Sequence, residues 1–232
     1  MPQISIVSSG KLERNLRLDA NYYLPKFVEN ERFLDSIGAI EIGDPRVSRL
    51  VTDGDHGYPT YSDEGIYYIK SRELSSLGID FSVAQKVPHE YAERLGDRCR
   101  LNQDDVIVSI VGTIGTVFIV KEDIPPSVLS RDIAKIVTNK ENVLPEYLYL
   151  FLNSRCGQLQ MERNSGGSIQ TGLYLYAIKK IKIPIIDMKE QQELARRVNR
   201  IVELKLKSTE LLDNARDLLS QDIFGGTVLM SL

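Results

Sequence analysis

Apolar residues along this chain change their period twice. Behind Pro25, the residues Phe27, Phe33, Leu34 and Ile37 recur at helical intervals until Gly38 ends the run. Proline fits the first turn of a helix, where a missing N–H costs no hydrogen bond. From 46 to 186 the period shortens. Short runs of Ile, Val and Tyr, bounded by Gly, Asp, Asn and Pro, predict strands at Gly65–Ile69, Asp105–Val111, Thr116–Val120, Ile133–Val137 and Ile178–Ile186. Helices are predicted at Glu90–Leu95, behind Pro88, and at Pro145–Asn153. Strands this close together, with so few helices between them, do not make a regular parallel βαβ series. The predicted fold is α/β in the mixed, α+β sense.

After Pro184 the helical period returns and persists without Pro or Gly to Gly225-Gly226. A helix of about 36 residues is roughly 54 Å long, more than a small domain can cover. Asp187 is placed to cap it, with Glu190 three residues on. Leu194, Val198, Ile201, Leu212, Ala215 and Leu219 form one apolar stripe, and Ile201, Leu204, Leu211, Ala215 and Leu218 a second. The expectation is an antiparallel coiled coil with a second copy. The chain then divides into a lead-in segment (1–45), a β-rich domain (46–186), the long helix (187–224) and a tail (225–232).

Composition narrows this picture. The 232 residues are 42% hydrophobic and 26% charged, as in ordinary globular proteins. No apolar run reaches membrane-spanning length, and the start has no secretory pattern. Cys99 and Cys156 stand far apart, so two buried thiols in a reducing cytoplasm are expected. The net charge of −3 argues against a generic nucleic-acid binder. Charge is nevertheless unevenly spread: residues 160–186 carry Arg163, Lys179, Lys180 and Lys182 against Glu162 alone. Lys70, Arg72, Lys86, Arg94, Arg98, Arg100 and Arg131 add further basic positions.

Three segments carry candidate chemistry. In Val51–Tyr61, the residues Asp53, Asp55 and His56 admit three readings: a metal set, an Asx-type turn, or a nucleic-acid contact. One His and two Asp do not close a ligand set, which favours the turn. In Leu101–Gly115, Gly112 and Gly115 sit where a phosphate loop might be sought, but no Gly-Lys-Ser/Thr follows, and a hairpin using positive φ is the simpler reading. In Ser165–Gln170, two glycines allow a close backbone approach, and an amide such as that of Gln170 matches adenine N6 and N7; a flexible polar loop is the alternative.

Catalytic sets fail on particular residues. The one Pro-Pro pair, Ile124–Ser127, lacks the acid or amide and the aromatic of an amino-methyltransferase motif. Glu203-Leu204-Lys205 lies on the long helix rather than on a nuclease strand, and no Gly-x-Ser-x-Gly elbow occurs. His89 reads as a surface residue at a helix start. No enzyme and no bound cofactor are expected.

Taken in order, these segments resemble the specificity subunits of Type I restriction–modification systems. The likeness rests on Leu18–Lys26, on Val51–Tyr61 before Gly65-Ile66, on Leu101–Gly115, on Ser165–Gln170, and on Ile183-Pro184-Ile185-Ile186 leading to Glu190-Gln191. The resemblance implies a non-catalytic subunit with one target-recognition domain, reading one half of a split site in double-stranded DNA. It implies that the subunit positions methyltransferase subunits and, through them, a motor nuclease, and that these partners, not this chain, would bind S-adenosylmethionine and ATP. The DNA-contacting residues expected on one surface are Thr52, His56, Tyr58, Lys70, Ser71, Arg72, Arg131, Arg163, Asn164, Gln170 and Tyr174. The residues expected to pair two copies are Leu194, Val198, Ile201, Leu204, Leu211, Leu212, Ala215 and Leu219. A scaffold that binds protein through its helix, and no DNA, is the alternative.

Overall fold

The structure is a computed structural model that describes residues 19–75, 78–121, 124–165 and 172–224. Among the described residues the strands are β1 (Ile40–Glu41), β2 (Ser48–Asp53), β3 (Ile66–Ile69), β4 (Leu74–Ser75), β5 (Gly78–Ile79), β6 (Gln85–Val87), β7 (Val106–Ser109), β8 (Val117–Ile119), β9 (Ser127–Leu129), β10 (Ile133–Thr138) and β11 (Lys182–Ile183). The helices are α1 (Pro25–Ser36), α2 (His89–Leu95), α3 (Pro145–Asn153), α4 (Arg155–Asn164), α5 (Leu175–Lys179) and α6 (Met188–Phe224). The fold is mixed α+β.

Its frame is an antiparallel four-stranded sheet in the order β2-β10-β7-β8. A three-stranded sheet, β6-β3-β9, adjoins it, with β3 and β9 parallel. Strand β7 explains the join. All four of its residues are buried, and they alternate: Val106 and Val108 enter the main core, while Ile107, with Ile133 of β10, enters a second cluster with Ile69 and Leu129 from the neighbouring sheet. Helices α3 and α4 cover the main core through Leu148, Leu152 and Met161. A third cluster, of Tyr68, Val87, Ala92, Cys99 and Val128, seats α2.

Between the sheets one backbone crosses another at Gly54. A Cβ there would lie 2.2 Å from the Leu129 carbonyl oxygen, so only glycine fits. Lys135 is the unexpected core residue, 1% exposed. Its ammonium is satisfied by the carbonyls of Asp97 (2.8 Å) and Arg100 (2.7 Å), with the Asp105 carboxylate at 3.6 Å. Burial raises the Asp105 pKa above the ordinary carboxylate range, against the pull of the Asn102 N–H and of Lys135.

Several sequence expectations hold closely. Helix α3 spans Pro145–Asn153, α2 starts directly after Pro88, and Gly112 and Gly115 take positive φ in the β7–β8 hairpin. Cys99 and Cys156 are free thiols, although Cys156 is only partly buried. One expectation about these elements fails. Ile178–Ile186 is not one strand: Leu175–Lys179 is helical, and only Lys182-Ile183 pairs, antiparallel to β1. Helix α4 was not foreseen. Its composition is polar, and its start is set by Ser154, whose hydroxyl accepts the Gly157 N–H at 3.3 Å.

Helix α6 is the longest element, with 37 residues. Asp187 caps it by accepting the Lys189 N–H at 2.8 Å. Its first turns belong to the globular body. Gln191, fully buried, accepts the Leu144 N–H (2.9 Å) and donates to the Asn142 (2.7 Å) and Ile186 (3.0 Å) carbonyls. Val198 is 2% exposed, and Leu194 and Val202 pack on the main core. Leu194 and Val198, expected on a pairing face, are therefore core residues of their own chain. Beyond them Ile201, Leu204, Leu211, Leu212, Ala215, Leu218 and Leu219 are all exposed. Ion pairs run along the solvent side from Glu193 to Arg196 and Arg197, and from Arg200 to Glu203 at 2.8 Å.

Candidate nucleic-acid interface

The register of the four-stranded sheet gathers distant segments at one end. Asp53 at the end of β2 faces Ala134 at the start of β10; Ala134 faces Val108 at the end of β7; Val108 faces Val117 at the start of β8. The loop 53–61, the turn Ser130–Asp132 and the hairpin Ile110–Thr116 therefore leave the sheet side by side. Val111 pairs with Gly172, which adds Leu173 and Tyr174. The Ser71 N–H and hydroxyl both donate to Asp132 at 2.9 Å, tying on the short helical turn Ser71–Glu73.

The loop 53–61 is held from beneath. Asp55, 5% exposed, accepts the Gly57 N–H (2.8 Å), the Tyr91 hydroxyl (2.6 Å) and the Tyr68 hydroxyl (3.2 Å). This is an Asx-type turn, as the sequence favoured, with two tyrosines added. Burial pushes the Tyr91 hydroxyl up to about 12, and Asp55 adds to that shift; Tyr68 moves in the same direction for the same reasons. From the side, Arg98 donates to the carbonyls of Asp53 (3.0 Å) and Gly54 (3.2 Å). Asp53 also holds His56 at 2.7 Å. Among the described residues, no group of three or more His, Cys, Asp or Glu side chains is placed to bind a metal.

What this end shows to solvent is aromatic and basic. Tyr58 is 91% exposed at the loop tip, and the His56 ring is exposed beside it. The Lys70 ammonium lies 4.6 Å from the Tyr61 ring centre and donates to Gln85 Oε1 at 3.0 Å. Arg72 is exposed, with its Nε on Glu73 at 2.7 Å. Arg131 is exposed on the adjoining turn. Tyr174 stacks on Tyr176 with ring centres 5.9 Å apart, and both are more than half exposed.

Four of the expected DNA-contacting residues are placed otherwise, and one lies outside the description. Thr52 and Ser71 are buried, at 7% and 8% exposure, and serve the sheet end from within. Arg163 and Asn164 occupy the last turn of α4 rather than a loop. Arg163 is spent on the N-terminal segment, with Nε on the Tyr22 carbonyl (2.9 Å), Nη1 on Glu31 (3.0 Å), and the guanidinium 4.1 Å from the Tyr22 ring centre. Asn164 donates to the Gln160 carbonyl at 2.8 Å. Gln170 and its glycine neighbours lie outside the described residues. Sequence reading missed Gln85, Tyr91 and Asp132 because their partners stand 15, 36 and 61 residues away.

The family described as the Type I restriction modification DNA specificity domain matches residues 60–214. The chain belongs to that family. It is 28% identical over 138 residues to the EcoBI specificity subunit of Escherichia coli, and 20% identical over 166 residues to the MjaVIII specificity subunit of Methanocaldococcus jannaschii. Those alignments cover 60% and 68% of this chain, and 29% and 39% of the relatives. The crystal structure of a Type-I restriction-modification system S subunit from M. genitalium shares the fold, with a TM-score of 0.51 at 13% identity, over 84% of this chain and 50% of that one. The chain thus spans half or less of the length of these relatives. Among the described residues, no helix is long and apolar enough to cross a membrane.

Proposed function

We propose that this chain is a non-catalytic DNA-reading subunit in which residues 46–186 form the target-recognition domain and the loop end of the four-stranded sheet meets the duplex. The observation that carries the reading is the convergence there of His56, Tyr58, Lys70, Arg72, Arg131 and Tyr174 from four separate segments. Lys and Arg on such a surface hold phosphates and fix register, while amide and aromatic groups meet base edges. The overall charge of −3 is no obstacle, because the acids on the converging segments, Asp53, Asp55, Glu73 and Asp132, are all engaged in holding the surface together.

In the same proposal, the outer part of α6 pairs antiparallel with a second copy. Its exposed leucines from Leu204 to Leu219 run for roughly 22 Å without cover from the described residues of their own chain. A two-fold pair would put one recognition domain at each end, and a two-fold protein imposes an inverted site. Methyltransferase subunits would dock on this assembly, and S-adenosylmethionine would bind there rather than to this chain. The cytoplasm is the compartment that this role requires.

The test is selection of the full chain against randomised duplexes, followed by titration at several salt concentrations. The expected result is a pair of inverted half-sites about one helical turn apart, bound at least ~10³-fold better than unrelated DNA, with log K falling linearly in log salt. Binding to protein partners alone, with no duplex selected, would establish the scaffold reading instead.

A further inference from the structure

We infer that Asp55, Tyr68 and Tyr91 form a positioning device that presets the 56–61 loop, so that sequence selectivity depends on it while phosphate affinity does not. The inference rests on the DNA-reading function proposed above. Three features carry it.

The first is convergence. One carboxylate, 5% exposed, takes donors from three segments: the loop's own Gly57 N–H, Tyr68 of β3 and Tyr91 of α2. A buried carboxylate is stable only with such donors, so the loop cannot leave this arrangement without stranding a charge. The second is contact. The Cβ position of Gly57 lies 2.6 Å from the Tyr91 hydroxyl, so the loop backbone rests directly on that oxygen. The third is separation. No member of the device faces the surface as a cation: the exposed tip belongs to His56 and Tyr58, while Lys70, Arg72 and Arg131 stand on other segments. Helix α2 and the turn after it thus act as a bracket, supplying Tyr91 beneath the loop and Arg98 at its side.

Tyr91→Phe removes one hydroxyl and leaves the ring. Fewer molecules then hold the loop in its binding shape, which lowers affinity for the selected duplex only. Tyr147→Phe is the comparison, because its hydroxyl donates to the Pro184 carbonyl (2.7 Å) near the start of α6. Both full-length variants are titrated with the duplex that wild type selects and with unrelated DNA. For Tyr91→Phe the specific-to-unrelated ratio is expected to fall about tenfold with an unchanged salt slope. For Tyr147→Phe the ratio is expected to stay constant even where melting drops. An unchanged ratio in Tyr91→Phe, or equal losses in both variants, would overturn the inference. A wild type that binds duplexes without preference would instead sink the DNA-reading function, and this inference with it.

Discussion

The two ends of the four-stranded sheet use the same residue types for opposite purposes. At the helix end, Gln191 is sunk and spends its whole amide on backbone, the Tyr147 hydroxyl donates to the Pro184 carbonyl, and the Asn139 and Asn142 amides donate to Pro45 and Arg46 carbonyls. At the loop end, Tyr58, Tyr174 and Tyr176 stand in water, and Arg72 and Arg131 are exposed. Asp44 is locked to Arg46 at the first end; Asp55 serves the surface above it at the second. One end of the sheet fixes where α6 leaves the body, and the other leaves aromatic and basic groups exposed, where the proposed function places the duplex. A polar residue in this fold is informative only once its end of the sheet is known.

Helix α6 offers the largest test of that division, because it starts inside the helix end and leaves it. In the two-fold pair proposed above, Leu211→Asp places a charge in each half. It is expected to weaken that pairing by about 4 kcal/mol, roughly a thousandfold in Kd, since each copy loses a leucine that the proposed contact would bury. Sedimentation equilibrium reads this directly, and the melting of the isolated body should not move. A dimer that survives Leu211→Asp would place the pairing surface elsewhere.

Gln191→Ala attacks the anchored end itself. It leaves the Leu144 N–H and two carbonyls without their partner in a buried site, and is expected to cost about 3 kcal/mol of stability in a urea titration. The folded fraction should still select the same duplex. A change in the selected sequence would show that the two ends are coupled, and the comparison would fail.

The smallest effect expected is electrostatic. Hydrogen bonds from Arg46 hold the Asp44 carboxyl at about 2, down from 3.8. A carboxyl depressed in the folded state adds stability above its unfolded value, and that contribution is lost as pH falls from 3.8 toward 2. Carboxyl NMR should show Asp44 titrating near the lower figure, and Arg46→Ala should return it to the ordinary range. Because the pair is solvent-exposed, global stability should barely respond. A carboxyl that already titrates normally in wild type would remove Asp44 from the fixed end.

Local rules explain what was legible without coordinates. Helix α3 is fixed by Pro145 at its start and a dense apolar stripe behind it, and the β7–β8 hairpin by Gly112 and Gly115 between two Val/Ile runs. These signals lie within one element, so the order of residues suffices. The Asx-type turn at Asp55 and the helical run from Met188 were likewise readable, because each rests on a local pattern. Tertiary structure decided the rest. Arg163 reads as a free cation until α4 brings it against Tyr22 and Glu31, over 130 residues away in sequence. Thr52 and Ser71 read as loop groups until the fold buries them, Thr52 paired with β10 and Ser71 held by Asp132. Val198 continues a pairing stripe in sequence, yet the body packed around the start of α6 claims it first. Periodicity tells which side of an element is apolar; only the assembled fold tells which neighbour covers that side, and therefore which polar groups remain for a ligand.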